Sequence, residues 1–133
     1  MSSNPYDAYH TVRTTTADPI TLTTLLFEGC LKAIRKGRLF EAEGNRTCFL
    51  DETDRAQLII GEFLCTLDLE QGEIPKNLSA IYSYCLRCLI EATLGDLPKL
   101  DEVEKHISRI SSAWKVATAD LKARGAVPVR IAA

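Results

Sequence analysis

Apolar residues recur at helical spacing along most of the chain, in four segments that short polar or glycine-containing stretches separate. The first segment follows Asp18-Pro19, where the Asp side chain can accept a hydrogen bond from a free amide and the proline has none to lose. It ends before Gly44-Asn45. The other three segments are expected at approximate bounds of Thr47 to Leu67, Ile74-Pro75 to Gly95, and Pro98 to Gly125. The pattern predicts four helices and no strand in residues 18–124.

Helices of about 20 to 26 residues joined by short loops pack most readily as an antiparallel bundle, because short loops make successive helices run in opposite directions. The fourth segment has the most regular apolar spacing, in alternating steps of three and four: Leu100, Val103, Ile107, Ile110, Trp114, Ala117 and Leu121. We assign Leu22, Leu26, Ile107 and Trp114 to the interior. The predicted fold is all-α, an antiparallel four-helix bundle over residues 18–124, with an irregular segment at 1–17 and a flexible tail at 125–133.

Composition narrows the choice of compartment and partner. The chain has 133 residues, about one ordinary domain, and a formal net charge of −2, so no overall positive field attracts it to nucleic acid or anionic lipid. No basic and apolar leader opens the sequence, and no run of eighteen uncharged apolar residues occurs. We expect a cytoplasmic protein without membrane insertion, whose five cysteines are reduced thiols.

Motifs for catalysis or metal binding are weak. Cys85-Leu86-Arg87-Cys88 is a Cys-x-x-Cys in mid-helix, with no further pair of ligands at zinc spacing, so we interpret both cysteines as small apolar core residues. His106 has acidic neighbours in Glu102 and Glu104, but the apolar spacing turns all three toward solvent. The basic run Lys32 to Arg38 is balanced by Glu41 and Glu43. We predict no catalytic residue, no metal and no cofactor.

The third helix has more apolar surface than a bundle needs. Its apolar arc covers about 200° at 100° per residue, whereas facing a core takes only about 100° or a little more. The excess lies along Leu86 and Ile90 and requires a cover. The same chain, a second copy or a different protein could supply it.

Residues 1–17 offer one such cover, because "NPYDAY" places Tyr6 and Tyr9 ahead of the first helix. Burying each ring would contribute on the order of 1.5 to 3 kcal/mol. Ordering half a dozen backbone residues costs about 1 to 2 kcal/mol apiece, so the balance is close to zero. We therefore predict a lid that is easily displaced.

Four strings carry a family resemblance: "NPYDAY", "LLFEGCLKAI", "LDLEQGEIPKNLSAIYSYCLRCLIEATLGD" and "SAWKVA". In this order and spacing they resemble the flagellin export chaperone family, FliS, over nearly all of residues 4 to 117. The third string is the most specific. It departs from the usual family pattern at Cys88, where a second arginine is common.

The resemblance implies a cytoplasmic chaperone, not an enzyme, that binds the disordered C-terminal segment of flagellin. Such a chaperone prevents premature polymerisation and assists delivery to the flagellar type III export gate, and its N-terminal tyrosines cover part of the binding groove when no client is present. The flagellin-binding residues predicted from the motif and the helix-three argument together are Tyr6, Tyr9, Asn77, Tyr82, Leu86, Arg87 and Ile90, although Tyr82 and Leu86 would also suit the core.

Two other readings stay open. The flagellin chaperone is expected to be a monomer or weak dimer. In the first alternative the protein is a homodimeric bundle that uses the excess apolar strip as its own dimer interface and has no flagellin client. An enzyme or metal protein could also be built on the same bundle.

Overall fold

The computed structural model of the protein describes residues 18–124, apart from the side chains of Lys122 and Arg124. The described residues form four α-helices and a short 3-10 helix, and no strand occurs among them. The elements are α1 (Pro19–Ala42), α2 (Arg46–Thr66), the 3-10 turn Leu69–Gln71, α3 (Glu73–Thr93) and α4 (Lys99–Arg124). The predicted all-α architecture is confirmed, and each helix end lies within two residues of its predicted position.

The first two helices begin where side chains can satisfy free amides. The Asp18 carboxylate accepts a hydrogen bond from the Ile20 amide at 3.0 Å, and the Asn45 side chain accepts one from the Cys48 amide at 3.1 Å. Gly44 has a φ of 74°, in the left-handed region that favours glycine, and this lets the chain reverse between α1 and α2. The sequence signals for these boundaries therefore act through ordinary capping chemistry.

The four helices form an antiparallel bundle. Each helix packs against the next one in the chain, and α4 also packs against α1. A β-carbon on Gly29 of α1 would lie 3.5 Å from Ile59 of α2, which shows how closely these two helices pack. The rings of Phe63 on α2 and Tyr82 on α3 lie 5.3 Å apart. The remaining two junctions are closed by hydrogen bonds: Tyr84 to Glu102 between α3 and α4, and Trp114 to Thr24 between α4 and α1.

Aromatic rings fill the centre of the bundle. Phe27 lies 4.7 Å from Phe63 and 6.4 Å from Trp114, measured between ring centroids, so three helices meet at one cluster. Of the residues assigned to the interior from sequence, Leu26, Ile107 and Trp114 are buried and Leu22 is half-buried. The core is thus built mainly from the stripes that the apolar spacing indicates.

The buried side of α4 drifts away from the predicted apolar seam. The spacing predicts Ile110 and Ala117 on that seam, but Ile110 is half-buried and Ala117 is exposed. The residues that follow them, Ser111 and Thr118, are buried instead. A straight α-helix drifts by about 20° per heptad relative to a strict alternation of three and four, so the buried side passes to the next residue after a few turns.

The charged groups of α1 and α4 pair with each other. Glu104 accepts hydrogen bonds from Arg35 at 2.8 Å and from Arg38 at 2.9 Å, and Arg38 also bonds Asp101 at 2.9 Å. The Arg35 hydrogen bond is the main reason that the pKa of Glu104 is lowered, with Arg38 contributing and partial burial opposing. The expectation that the acidic neighbours of His106 simply face solvent is wrong, because Glu102 accepts a hydrogen bond from α3 and Glu104 accepts hydrogen bonds from α1.

Candidate functional site

An apolar strip follows the outer side of α3 over its last two turns. Leu86, Ile90 and Leu94 succeed each other in steps of four, so their side chains lie on one line along the helix. Leu86 is half-buried, whereas Ile90 is 50% exposed and Leu94 is 81% exposed. We call these three residues the α3 strip. Two of them were predicted from the width of the apolar arc, and Leu94, just past the helix end, was missed although it continues the same four-residue step.

The α3 strip borders α2 and not α4. Tyr84 lies on the α4 side of α3, since its hydroxyl donates a hydrogen bond to Glu102 at 3.1 Å and its ring meets His106 edge-on at 5.7 Å. Leu86 follows Tyr84 by two residues, which is about 200° around the helix and therefore on the opposite flank. That flank faces α2, as the contact between Tyr82 and Phe63 indicates.

The α2 side of this surface also contains apolar side chains and some open space. Leu50 is half-buried and Leu58 is 39% exposed. A β-carbon added to Gly61 would meet no atom within 4 Å, so the surface is open at that point. We call Leu50, Leu58 and Gly61 the α2 flank. The sequence signal for this flank is the eight-residue spacing of Leu50 and Leu58, about two helical turns, which is less conspicuous than the core stripe of α2.

Tyr82 lies in the interior and is not part of the surface strip. Its side chain is fully buried against Phe63, and its hydroxyl has no hydrogen-bond partner. Burial, followed by the proximity of Cys30 and Cys85, raises the pKa of this phenol. Of the two roles that the sequence left open for Tyr82, the described structure places the ring in the core.

The two predicted polar positions differ in their distance from the α3 strip. Asn77 is exposed near the start of α3, about 20 Å along the helix from Ile90 at 1.5 Å per residue. Arg87 is exposed three residues before Ile90 and is its neighbour on the helix surface, although its guanidinium lies 5.6 Å from the centroid of the Tyr84 ring, toward α4. Tyr6 and Tyr9 lie outside the described residues. The structure therefore brings together Leu86, Arg87 and Ile90 but not the whole predicted set.

The Cys-x-x-Cys of α3 is packed into the core. Cys85 and Cys88 are both fully buried, as is Cys30 on α1, and all five cysteines are free. Burial is the main reason that the pKa of Cys85 is raised to about 12, and burial also raises the pKa of Cys30. Because the thiolate is the reactive form, these two buried thiols are poor nucleophiles. The geometry suits small apolar residues in a helix interface.

Metal binding and membrane insertion have no structural basis among residues 18–124. No group of three or more His, Cys, Asp or Glu side chains is placed to hold a metal ion within that range. None of the helices described there combines the length and apolar character needed to cross a membrane. The candidate site is the exposed apolar surface formed by the α3 strip and the α2 flank.

Comparison with known proteins identifies the family to which the chain is similar. The model of a family described as flagellar protein FliS matches residues 2–121. Three curated proteins named flagellar secretion chaperone FliS are similar to the chain. The Bacillus subtilis protein is 35% identical over 86% of both chains. The Salmonella typhimurium protein is 38% identical over 74% of this chain and 76% of its own, and the Escherichia coli protein is 37% identical over 71% of each. This chain therefore belongs to the FliS family of flagellar secretion chaperones.

Proposed function

We propose that the protein is the cytoplasmic export chaperone of flagellin: it binds the disordered C-terminal segment of flagellin, prevents premature polymerisation and assists delivery to the flagellar type III export apparatus. The family is one of chaperones and not of enzymes, and catalysis has no part in this proposal. The client contacts are Leu86 and Ile90, which the sequence indicated, together with Leu94 and the α2 flank.

The observation that carries the proposal is the exposure of the α3 strip. Large apolar side chains on the surface of a small protein mark interaction sites when they lie together in a patch. The α3 strip is linear and lies beside a second apolar flank, which suits an amphipathic helix laid into a groove. A client segment that is disordered until it binds would bury its own apolar side chains there.

Coupled folding also suits release. A segment that folds on binding spends part of the interaction energy on its own ordering, so the affinity stays moderate although the buried area is large. The same proposal assigns residues 1–17 the role of a lid. It would shield part of the apolar surface between clients and leave when flagellin binds.

Titration calorimetry tests the proposal. The full chain is titrated with a peptide of about 50 residues from the C-terminal end of flagellin from the same organism. Saturable one-to-one binding with a negative heat-capacity change is expected, because apolar surface becomes buried. Absence of binding would refute the flagellin proposal.

A matched pair of variants locates the binding surface. Ile90→Asp should weaken peptide binding at least about tenfold while helicity is kept, because a carboxylate replaces an exposed apolar contact. Val116→Asp places the same charge at a 75% exposed position on α4 and should leave binding unchanged. Equal effects of the two substitutions would mean that the client binds elsewhere.

Self-association is the competing use of the same strip. Light scattering over a range of protein concentrations separates the two. A largely monomeric protein at micromolar concentration favours the chaperone, whereas a stable dimer that Ile90→Asp dissociates would identify the strip as a self-interface.

A further inference from the structure

One carboxylate lies among the apolar residues of the proposed groove. Asp54 is exposed on α2, one helical turn from Leu50 and one from Leu58. Phe63 touches Tyr82, and Arg46 donates a hydrogen bond to the Thr93 carbonyl, so the antiparallel register places Asp54 level with Leu86 and Ile90 on α3. Asp54 is therefore at the middle of the exposed apolar surface and not at its ends.

Asp54 has no hydrogen bond or ion pair to any described residue. The arginines of α2 and α3 are engaged elsewhere. Arg46 bonds Thr93, Arg55 pairs with Glu52 at 3.5 Å, and Arg87 lies over the Tyr84 ring. Within the described part of the chain, the fold thus supplies no cation for this carboxylate.

The surrounding charge has the same sign. Residues 46–96 contain nine Asp or Glu and four Lys or Arg, out of totals of 18 and 16 in the chain. A client lying between α2 and α3 meets a negative field, although the protein as a whole is nearly neutral. Charge complementarity therefore favours a client with basic residues.

We propose that Asp54 pairs with a lysine or arginine of the client, so that the groove selects an amphipathic helix with a basic residue beside its apolar stripe. This inference rests on the proposed chaperone function and specifies the chemistry of its client. A docked helix removes water from Asp54, and a basic side chain both replaces the lost hydrogen bonds and neutralises the carboxylate, which a neutral donor does not. A client with an acidic or apolar residue at that point leaves the carboxylate desolvated, which disfavours it.

Two synthetic peptides test the inference. Both have 18 residues and leucines at the same helical spacing, and the residues flanking the leucines are lysine in one and glutamate in the other. Binding to the full chain is measured by fluorescence anisotropy at 50 mM and at 1 M NaCl. At low salt the lysine peptide should bind at least about fivefold more tightly, and the preference should fall below about twofold at high salt, because salt screens the pair.

Charge-neutral variants assign the preference to one residue. Asp54→Asn should reduce the preference for the lysine peptide at low salt by about threefold or more. Glu28→Gln makes the same chemical change in a half-exposed pair with Lys115 on the α1–α4 side and should leave the preference intact. Circular dichroism confirms that both variants keep their helicity.

The outcomes separate this inference from the function on which it rests. Equal affinity for the two peptides, no binding of either peptide, or an unchanged preference in Asp54→Asn each overturns the role of Asp54, even when the flagellin peptide binds. If the flagellin peptide does not bind but the lysine peptide is still preferred over the glutamate peptide, flagellin is not the client. The preference of the groove for a basic helix is then still supported.

Discussion

Replacing Tyr82 with phenylalanine should stabilise the protein. The Tyr82 side chain is fully buried, and its hydroxyl has no hydrogen-bond partner. Leaving such a group unpaired in the interior costs about 1 to 3 kcal/mol, whereas the aromatic ring and its packing on Phe63 are kept in phenylalanine. The nearby Cys30 and Cys85 offset little of that cost, because sulfur is a weak acceptor.

We expect the free energy of unfolding to rise by about 1 kcal/mol in Tyr82→Phe. Urea denaturation followed by circular dichroism measures it. With an m-value of about 2 kcal/mol per molar urea, the midpoint should move upward by about 0.5 M. Binding of the flagellin peptide should not change, because Tyr82 does not lie on the α3 strip.

Tyr84→Phe is the matched control, two residues along the same helix. The Tyr84 hydroxyl donates a hydrogen bond to Glu102 at 3.1 Å, so its removal should lower the free energy of unfolding. The same chemical change therefore has opposite signs at the two positions. A loss of stability in Tyr82→Phe as large as that in Tyr84→Phe would refute the reasoning, because it would mean that the buried hydroxyl is hydrogen-bonded in solution.

Three further predictions concern charge, thiols and the N-terminal segment. Because the pKa of Glu104 is lowered in the folded protein, its ion pairs stabilise the fold fully above the unfolded pKa of about 4.3, and this stabilisation is lost as the pH falls through the folded pKa. Glu104→Gln should therefore lower the Tm at pH 7 and make the Tm fall less steeply toward acid pH. An equal decrease of Tm with falling pH in the two proteins would contradict this prediction. Cys65 is exposed and should react with a thiol reagent in the native protein, whereas Cys85 should react only in denaturant, which a time course of labelling followed by mass spectrometry would show. Deletion of residues 1–17 should raise the fluorescence of a dye that binds apolar patches and should maintain or tighten flagellin binding; lower dye fluorescence would exclude a lid.

The sequence determined the helices and most of the core because these depend on local information. Asp18-Pro19 marks a helix start by its own stereochemistry, and an apolar spacing of three and four defines a buried face in any bundle. The same reasoning found an excess of apolar residues on α3 and the positions Leu86 and Ile90 within it. Ile90 is half exposed, as an unneeded apolar residue should be.

Only the tertiary structure decided what each face meets. Periodicity places Glu104 on the polar side of α4 but cannot show that Arg35 and Arg38 lie opposite it. It likewise cannot place Asp54 level with the α3 strip, since that depends on the register of two helices far apart in sequence. Local spacing fixes which side of a helix a residue occupies, whereas burial, pairing and the shape of a groove depend on where neighbouring helices begin, end and cross.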